Sequence, residues 1–393
     1  MQYDIIIIGA GPAGLSFARS LAETGLKIVL IEKNARETLA NPPYDGREIA
    51  LTHLSHKLMN DLGMWQLIPE GQHFKIRDAK VLNGDSAYSL DFDHREAGKE
   101  NLGFMVSNNV IRRAAYQSLE GFENVTILDE NTVLKLGTTS ANGWVELADG
   151  TRLEASLLVA ADSRFSTTRR MMGISTSMLD FGRVCIVCTM DAAKSHDDTA
   201  VEYFHFDRTL AILPLNKNQV SVVVTLKSED SDRVLAMDKP DFAADIAQRA
   251  GGQFGELKLT SELFAYPLVA TFAKVFCKNR FAVIGDAAVG MHPVTAHGFN
   301  LGLQGADTLA REIKKAMSLG QDFASFAVLQ RYSTAHRRAS APIYYGTNAL
   351  VRLFTNDTPP ARIARNALLH LGNAITPARN LIMERLTELK ATR

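Results

Sequence analysis

Glycines at positions 9, 11 and 14 form GxGxxG in the stretch "IIIIGAGPAGL", and a carboxylate, Glu32, follows them. Each residue type has a chemical reason to be there. The first glycine allows a tight turn, the second lets backbone approach a pyrophosphate, and the third lets the following helix lie against the strand. The helix N-terminus adds free N–H groups and the positive end of its dipole, which together hold phosphate. Ala13 lies within this turn and joins the binding set. A carboxylate about 20 residues beyond the glycines accepts hydrogen bonds from a ribose and repels a 2′-phosphate. These residues therefore imply FAD or NAD as the bound dinucleotide, rather than NADP.

A second set lies in "GDAAVGMHPVTAHGFNLGLQGADTLA", which begins at Gly285. Asp286 ends the short apolar run "RFAVIGD", at a strand's carboxyl end, where open α/β sheets bind ligands. A carboxylate there can hold the hydroxyls of a ribityl chain, which FAD has and NAD lacks. Gly298 permits a sharp entry into a helix starting near Phe299 and Asn300. Its N–H groups would face the flavin pyrimidine edge, where negative charge collects on reduction. The two sets together select FAD. No His or Cys stands in a context for covalent attachment, so noncovalent FAD is expected.

The elements that must position these groups are legible around them. "YDIIIIGAGPAGLSFARSLAETGLKIVLIEK" reads as strand, turn, helix and strand. Residues 5–8 are a continuous β-branched run, as in a parallel strand buried on both faces. Leu15, Ala18, Leu21 and Ala22 form the helix's apolar face, Gly25 ends it, and residues 28–31 form the next strand with Glu32 at its tip. Farther on, "RTLAILPLNKNQVSVVVTLK" reads as a hairpin turning at Asn216–Lys217–Asn218.

The totals narrow the class. The chain has 393 residues, enough for two lobes, and 46% are apolar, enough for a sizeable core. Forty-three basic residues balance 43 acidic ones, which gives no electrostatic case for nucleic acid. Three cysteines fit a reducing compartment rather than a disulfide framework. No basic n-region precedes the first apolar run, and no run approaches the roughly 20 residues that span a bilayer. The expectation is a cytoplasmic protein, or one attached peripherally to the inner face of the membrane.

The GxGxxG with Glu32, the middle stretch "LLVAADSRFSTTRR" (157–170) and the late Gly-Asp stretch occur in the order found in group A flavoprotein monooxygenases, which this chain resembles. Within that group, "DGREIALTHLSHKLMNDLGMW" (45–65), "VSNNVIRRA" (106–114) and "LVRLFTNDTPPARIARN" (350–366) are similar to the ubiquinone-biosynthesis hydroxylases. The resemblance implies an α/β fold: a Rossmann-like FAD-binding domain of the GR2 type, an interleaved β-sheet substrate domain and a C-terminal helical region. The FAD domain would comprise 1–75, 100–180 and 277–345, the substrate domain 76–99 and 181–276, and the helical region 346–393.

By position, the resemblance makes Gly9, Gly11, Gly14, Glu32, Arg47, Asn108 and Asp286 FAD contacts, with Arg47 on phosphate. It places Gly298, Phe299 and Asn300 at the flavin ring and gives Asp162 a part in binding both FAD and NAD(P)H. Pro293 and His297 would line the pocket at the reaction face. Ser163, Val289 and His297 depart from the family's usual Gly, His and Gln. The implied chemistry is reduction of FAD by NAD(P)H, addition of O2 at the flavin C4a, and transfer of the distal oxygen to a prenylated phenol or quinol ring in ubiquinone biosynthesis. The cofactor carries that chemistry, so no acid–base triad is expected. A reductase of a prenyl lipid, or a non-catalytic FAD-binding subunit of a biosynthetic complex, would share these motifs.

Two further candidates have plainer readings. Cys185 and Cys188 form CxxC inside a strand-like run, where side chains three apart point to opposite faces, so a core role is expected and no metal. His53 and His56 read as surface or interlobe residues. The tail from Pro359 carries six Arg or Lys against two Glu, with Ile382, Leu386 and Leu389 at helical spacing. It reads as an amphipathic helix packed on the body, or as a contact for a membrane or a biosynthetic complex.

Overall fold

The apolar run near the N-terminus becomes the middle of a parallel sheet in the computed structural model, which describes residues 2–83, 89–96, 98–205, 208–292, 297–354 and 358. The strand Gln2–Ile8 pairs in parallel with Ile28–Ile31 on one side and Arg152–Ala160 on the other. Ile5, Ile6 and Ile7 are fully buried, each contributing about 1.5–3 kcal/mol. Val125–Leu128 extends the sheet beyond Ile28–Ile31, and Phe281–Val283 extends it beyond Arg152–Ala160. The strand ends carrying Gly9, Glu32, Asp162 and Asp286 are thereby brought to one edge.

The helix Pro12–Leu21 follows the first strand, with Pro at a first-turn position whose N–H would have no helical partner in any case. Leu15, Phe17, Ala18 and Leu21 are its buried face. Gly25, at φ +77°, closes the single turn Ala22–Thr24 that follows. The helix His297–Ser318 packs against it. That helix starts two residues before Phe299, so Gly298 lies inside its first turn rather than ahead of it.

A second sheet contains nine strands among the described residues. Its order is Val289–Gly290, Phe264–Ala273, Thr176–Ala192, Gln219–Lys227, Thr209–Pro214, Thr199–Phe204, Asp78–Asn83 and Ser89–Asp93, with Leu257–Leu259 pairing beside Thr176–Ala192. Thr209–Pro214 and Gln219–Lys227 form the hairpin read from the sequence. Period-2 alternation gives the sheet two different faces. Ile186, Cys188, Val222, Val224, Leu210 and Ile212 pack toward the helix Lys239–Arg249. Residues of the opposite parity form the other face: Cys185 and Val187 pack with Leu268 and Tyr266, and Ala200 and Leu213 pack with Ile76 and Met105.

A three-stranded sheet, Glu48–Leu51, Gly103–Ser107 and His73–Ile76, lies between the lobes. Its Ala50, Met105 and Ile76 pack against Ala200, Leu213 and Leu215 of the second sheet. The long helix Phe326–Phe354 spans both lobes: Tyr332 donates to the Val283 carbonyl at 2.7 Å, while Leu350, Leu353 and Phe354 cover Phe204. Cys185 and Cys188 point to opposite faces of their strand, and burial pushes both thiols up to about 12. No helix among the described residues is long and apolar enough to cross a membrane. Pro293 and the tail from Pro359, with Ile382, Leu386 and Leu389, lie outside the described residues.

Candidate active site

At the glycine turn, two of the three glycines are explained by the protein's own packing. Gly9 has φ +106°, and a Cβ there would lie 2.6 Å from the Ala161 carbonyl oxygen; at Gly14 it would lie 2.1 Å from the Gly9 carbonyl oxygen. Gly11 is different. Its backbone is ordinary (φ −75°, ψ 177°), and a Cβ would meet nothing within 4 Å. Space in front of a helix N-terminus, kept clear by a glycine that the fold does not need, fits a phosphate-bearing group. Ala13 closes the turn on its far side, its Cβ 2.7 Å from where a side chain on Gly285 would begin.

Glu32 is buried at the tip of the second strand. Its carboxylate accepts from the Ala10 N–H at 2.8 Å, and from the Asn34 backbone and amide N–H groups at 3.0 and 2.7 Å. It holds the glycine turn in shape, and its two oxygens retain acceptor capacity for a ribose.

The loop before Glu48–Leu51 forms a second cluster. The Arg47 guanidinium bonds Asp45 at 2.5 and 3.1 Å and lies 5.4 Å over the Tyr266 ring. The Asn108 amide donates to the same Asp45 carboxylate at 2.8 Å, and the Tyr266 hydroxyl donates to the Asp45 carbonyl at 2.7 Å. Burial works against the Asp45 carboxylate, but hydrogen bonds and charge from Arg47, with Asn108 adding, hold its pKa below the usual range. Arg47 keeps 47% of its side chain exposed, and Asp286 as well as Asp45 lies close enough to favour its charge.

Asp286 sits on the turn Gly285–Ala287 with 42% of its side chain exposed, 3.6 Å from the Arg164 guanidinium. Sequence reasoning missed the group that fixes this turn. Arg169, almost fully buried, donates to the Ala287 carbonyl at 2.6 Å and to the Arg164 carbonyl at 3.1 Å. Its signal was the "TTRR" run, which spacing alone could not place. Asp162 accepts from the Thr168 N–H at 3.3 Å through one oxygen, while its buried Oδ1 has no hydrogen-bond partner among the described residues. A buried unbonded carboxylate oxygen beside the glycine turn is a place for a ligand donor.

At the start of the His297–Ser318 helix, a Cβ on Gly298 would meet, among the described residues, the Met291 Cβ at 4.0 Å, an ordinary contact. Phe299 is half-buried against the main core. The Asn300 amide joins elements far apart in sequence: it accepts from Thr52 N–H at 3.1 Å and donates to the Ala50 carbonyl at 2.9 Å. His297 is buried, as is His292, whose ring meets Phe181 at 4.7 Å. Burial, with Arg183 and Arg164 nearby, pushes the His292 pKa down to about 4, so it is neutral at pH 7.

Glu48, the residue after Arg47, was not singled out from sequence. Burial pushes its carboxyl up to about 7 against hydrogen bonds from Ser107, at 2.7 and 2.8 Å, and Tyr44. His53 bonds the Asn101 carbonyl, and His56 packs against Trp65 and Phe104, which accounts for both. Asp78, Asp93 and His94 come together at the edge of the second sheet. The His94–Asp78 bond at 2.9 Å and the Arg95–Asp93 pair account for that group.

A glycine turn with a carboxylate at the tip of the second strand, a guanidinium loop and a second helix N-terminus are a set of groups that suits a flavin dinucleotide. A profile of the family described as an FAD binding domain matches residues 2–343. Ubiquinone hydroxylase UbiM of Neisseria meningitidis serogroup C is 47% identical over 391 residues, covering 98% of this chain and 85% of its own. Ubiquinone hydroxylase UbiL of Rhodospirillum rubrum is 33% identical over 380 residues, covering 97% and 88%. The crystal structure of p-nitrophenol 4-monooxygenase PnpA from Pseudomonas putida superposes with a TM-score of 0.79 over 98% of each chain at 17% identity, which shows a shared fold. The chain belongs to the FAD-binding-domain family that contains these ubiquinone hydroxylases, and its cofactor is FAD.

Proposed function

We propose that this protein is an FAD-dependent monooxygenase that hydroxylates the aromatic ring of a prenylated phenol or quinol in ubiquinone biosynthesis, with NAD(P)H and O2 as co-substrates. The observation that carries the reading is 47% identity to a ubiquinone hydroxylase across 98% of the chain. Bound FAD, once reduced by NAD(P)H, supplies the activation of O2.

The chain's own residues bind, orient and exclude water. Gly9, Gly11, Ala13 and Gly14 cradle the pyrophosphate, and Glu32 takes the ribose. Arg47, released from Asp45, meets phosphate beside Asn108. Asp162 and Asp286 take hydroxyl donors of the cofactor, with Asp162 also serving NAD(P)H. Gly298, Phe299 and Asn300 put helix N–H groups at the flavin ring, where they stabilise negative charge. Pro293 and His297 line the reaction face. On this reading 1–75, 100–180 and 277–345 form the cofactor domain, 76–99 and 181–276 the substrate domain, and 346–393 a helical region whose basic tail meets a membrane or a biosynthetic complex.

The test is NAD(P)H oxidation by the purified yellow protein, with and without a short-chain prenylphenol. Stimulation by the phenol, with a product one oxygen heavier, is expected. Stimulated oxidation with reduction of the lipid and no added oxygen would instead establish a reductase. No oxidation at all in FAD-loaded protein would favour a non-catalytic subunit. Quinone profiling of a deletion strain then identifies the ring position from the intermediate that accumulates.

A further inference from the structure

Glu202 stands on the strand Thr199–Phe204. Its neighbours Val201 and Tyr203 pack into the core on the far face of the sheet, so period-2 alternation turns Glu202 to the opposite face, over which the three-stranded sheet and the end of the long helix pack. Ala200, two residues earlier, packs among the Met105 and Leu213 cluster; Phe204, two residues later, packs with Phe354. Glu202 is therefore a carboxyl set between two apolar clusters that close the gap between the lobes. It keeps some accessible surface, whereas Val201, Tyr203 and Phe204 are buried. Its register partners, Ala211 and Val81, are apolar.

Its polar contact is the Thr209 hydroxyl, and no cation pairs with it among the described residues. Cys185, on the same face, is the titratable group that senses its charge. Arg183 and Arg164 lie instead beside His292. A carboxyl in such surroundings is costly unless a partner arrives. Burial pushes its pKa up to about 8, so near neutral pH it can donate a hydrogen bond as well as accept one.

We propose that Glu202 is the substrate-binding residue that hydrogen-bonds the ring hydroxyl of the phenol or quinol, selecting rings that carry a hydroxyl and no carboxylate. This rests on the hydroxylase reading above. A ring carboxylate would bring an uncompensated charge into these apolar surroundings, whereas a neutral hydroxyl satisfies Glu202 without adding charge.

The experiment titrates oxidised, FAD-loaded protein with three probes, following the change in flavin absorbance. The probes are a phenol with a short prenyl chain beside its hydroxyl, the methyl ether of that phenol, and the same phenol bearing a ring carboxylate. Wild-type protein should bind the phenol about 10- to 100-fold more tightly than the ether, the range expected for one hydrogen bond to an ionisable group. It should also reject the carboxylate. Glu202→Leu should lower phenol affinity to that of the ether and leave ether binding unchanged, while Glu202→Gln should keep part of the preference. FAD content and thermal midpoint, measured on both variants, register any folding defect. Equal affinity of wild-type protein for phenol and ether, or an undiminished preference in Glu202→Leu, overturns the proposal. Wild-type protein that shows the expected preference yet inserts no oxygen overturns the hydroxylase reading alone; no phenol binding by FAD-loaded wild-type protein overturns both.

Discussion

The glycine turn and the face of the second sheet turned away from the helix Lys239–Arg249 are specified in different ways. At the turn, backbone geometry decides: a Cβ on Gly9 or Gly14 would lie under 3 Å from backbone, whereas a Cβ on Gly11 would meet none of the described residues within 4 Å. On the sheet, side-chain parity decides. Glu202, Cys185 and Val187 share one face because their sequence neighbours are claimed by the core behind the other. On the proposed reading the first is the cofactor wall, specified locally, and the second the substrate wall, specified by which face of each strand is left over. Changes on the first wall should therefore abolish binding or folding, whereas changes on the second should tune them.

Gly14→Ala should have the largest effect. Its Cβ would strike a backbone oxygen that cannot move without opening the turn, costing about 3 kcal/mol or more. Denaturant midpoints of the FAD-free protein should fall, and FAD should be lost. A variant of wild-type stability would break the claim that packing alone fixes this residue.

Gly11→Ser sharpens the contrast. Serine is a good N-cap, so the FAD-free protein should keep its stability within about 0.5 kcal/mol. The added side chain enters the cleared space, so FAD affinity should fall about tenfold or more, roughly 1.4 kcal/mol. Equilibrium dialysis of flavin measures this. Unchanged affinity would mean that the space is not the phosphate site.

Glu48, at the seam between the two walls, should show as a pH dependence. Its pKa rises from 4.5 to about 7 on folding, so the folded state favours the protonated acid. The resulting stabilisation is fully present below about 4.5 and is lost as pH rises through about 7. Glu48→Gln should be the more stable protein at pH 8 by about 1–2 kcal/mol relative to the difference at pH 4.5, allowing for partial solvent access. Urea midpoints across that range measure it, and a difference that does not change with pH would remove the buried-acid assignment.

Cys188→Ala should do least. The thiol is buried in the core behind the second sheet, so about 1 kcal/mol of stability is at stake. FAD content should not change. A loss of bound metal or flavin would contradict a core role.

Much of the cofactor wall was legible because its information is local. Strand 28–31, the Gly25 stop and the three glycines with Glu32 lie within one βαβ unit, where spacing carries geometry. The joints between elements were not. Asn300 meets Thr52 and Ala50 from 248 and 250 positions away, and Tyr266 meets Asp45 from 221 away. No periodicity encodes such pairings. Arg169 read as one of two arginines in a polar run, yet it is buried under the Asp286 turn because two backbone carbonyls there need a donor. Glu48 lies in a quoted stretch that gave it no role, and Glu202 in none; their surroundings in the fold distinguish them from surface carboxylates.

The account is tested most directly by the origin of the oxygen in the product. The FAD-loaded protein is supplied with NAD(P)H, a short-chain prenylphenol and isotopically labelled dioxygen in unlabelled water, and the ring product is analysed by mass spectrometry. A ring hydroxyl bearing one labelled oxygen atom per product molecule is predicted. A product that carries oxygen from water, or a lipid that is reduced without gaining oxygen while NAD(P)H is consumed, would contradict a monooxygenase.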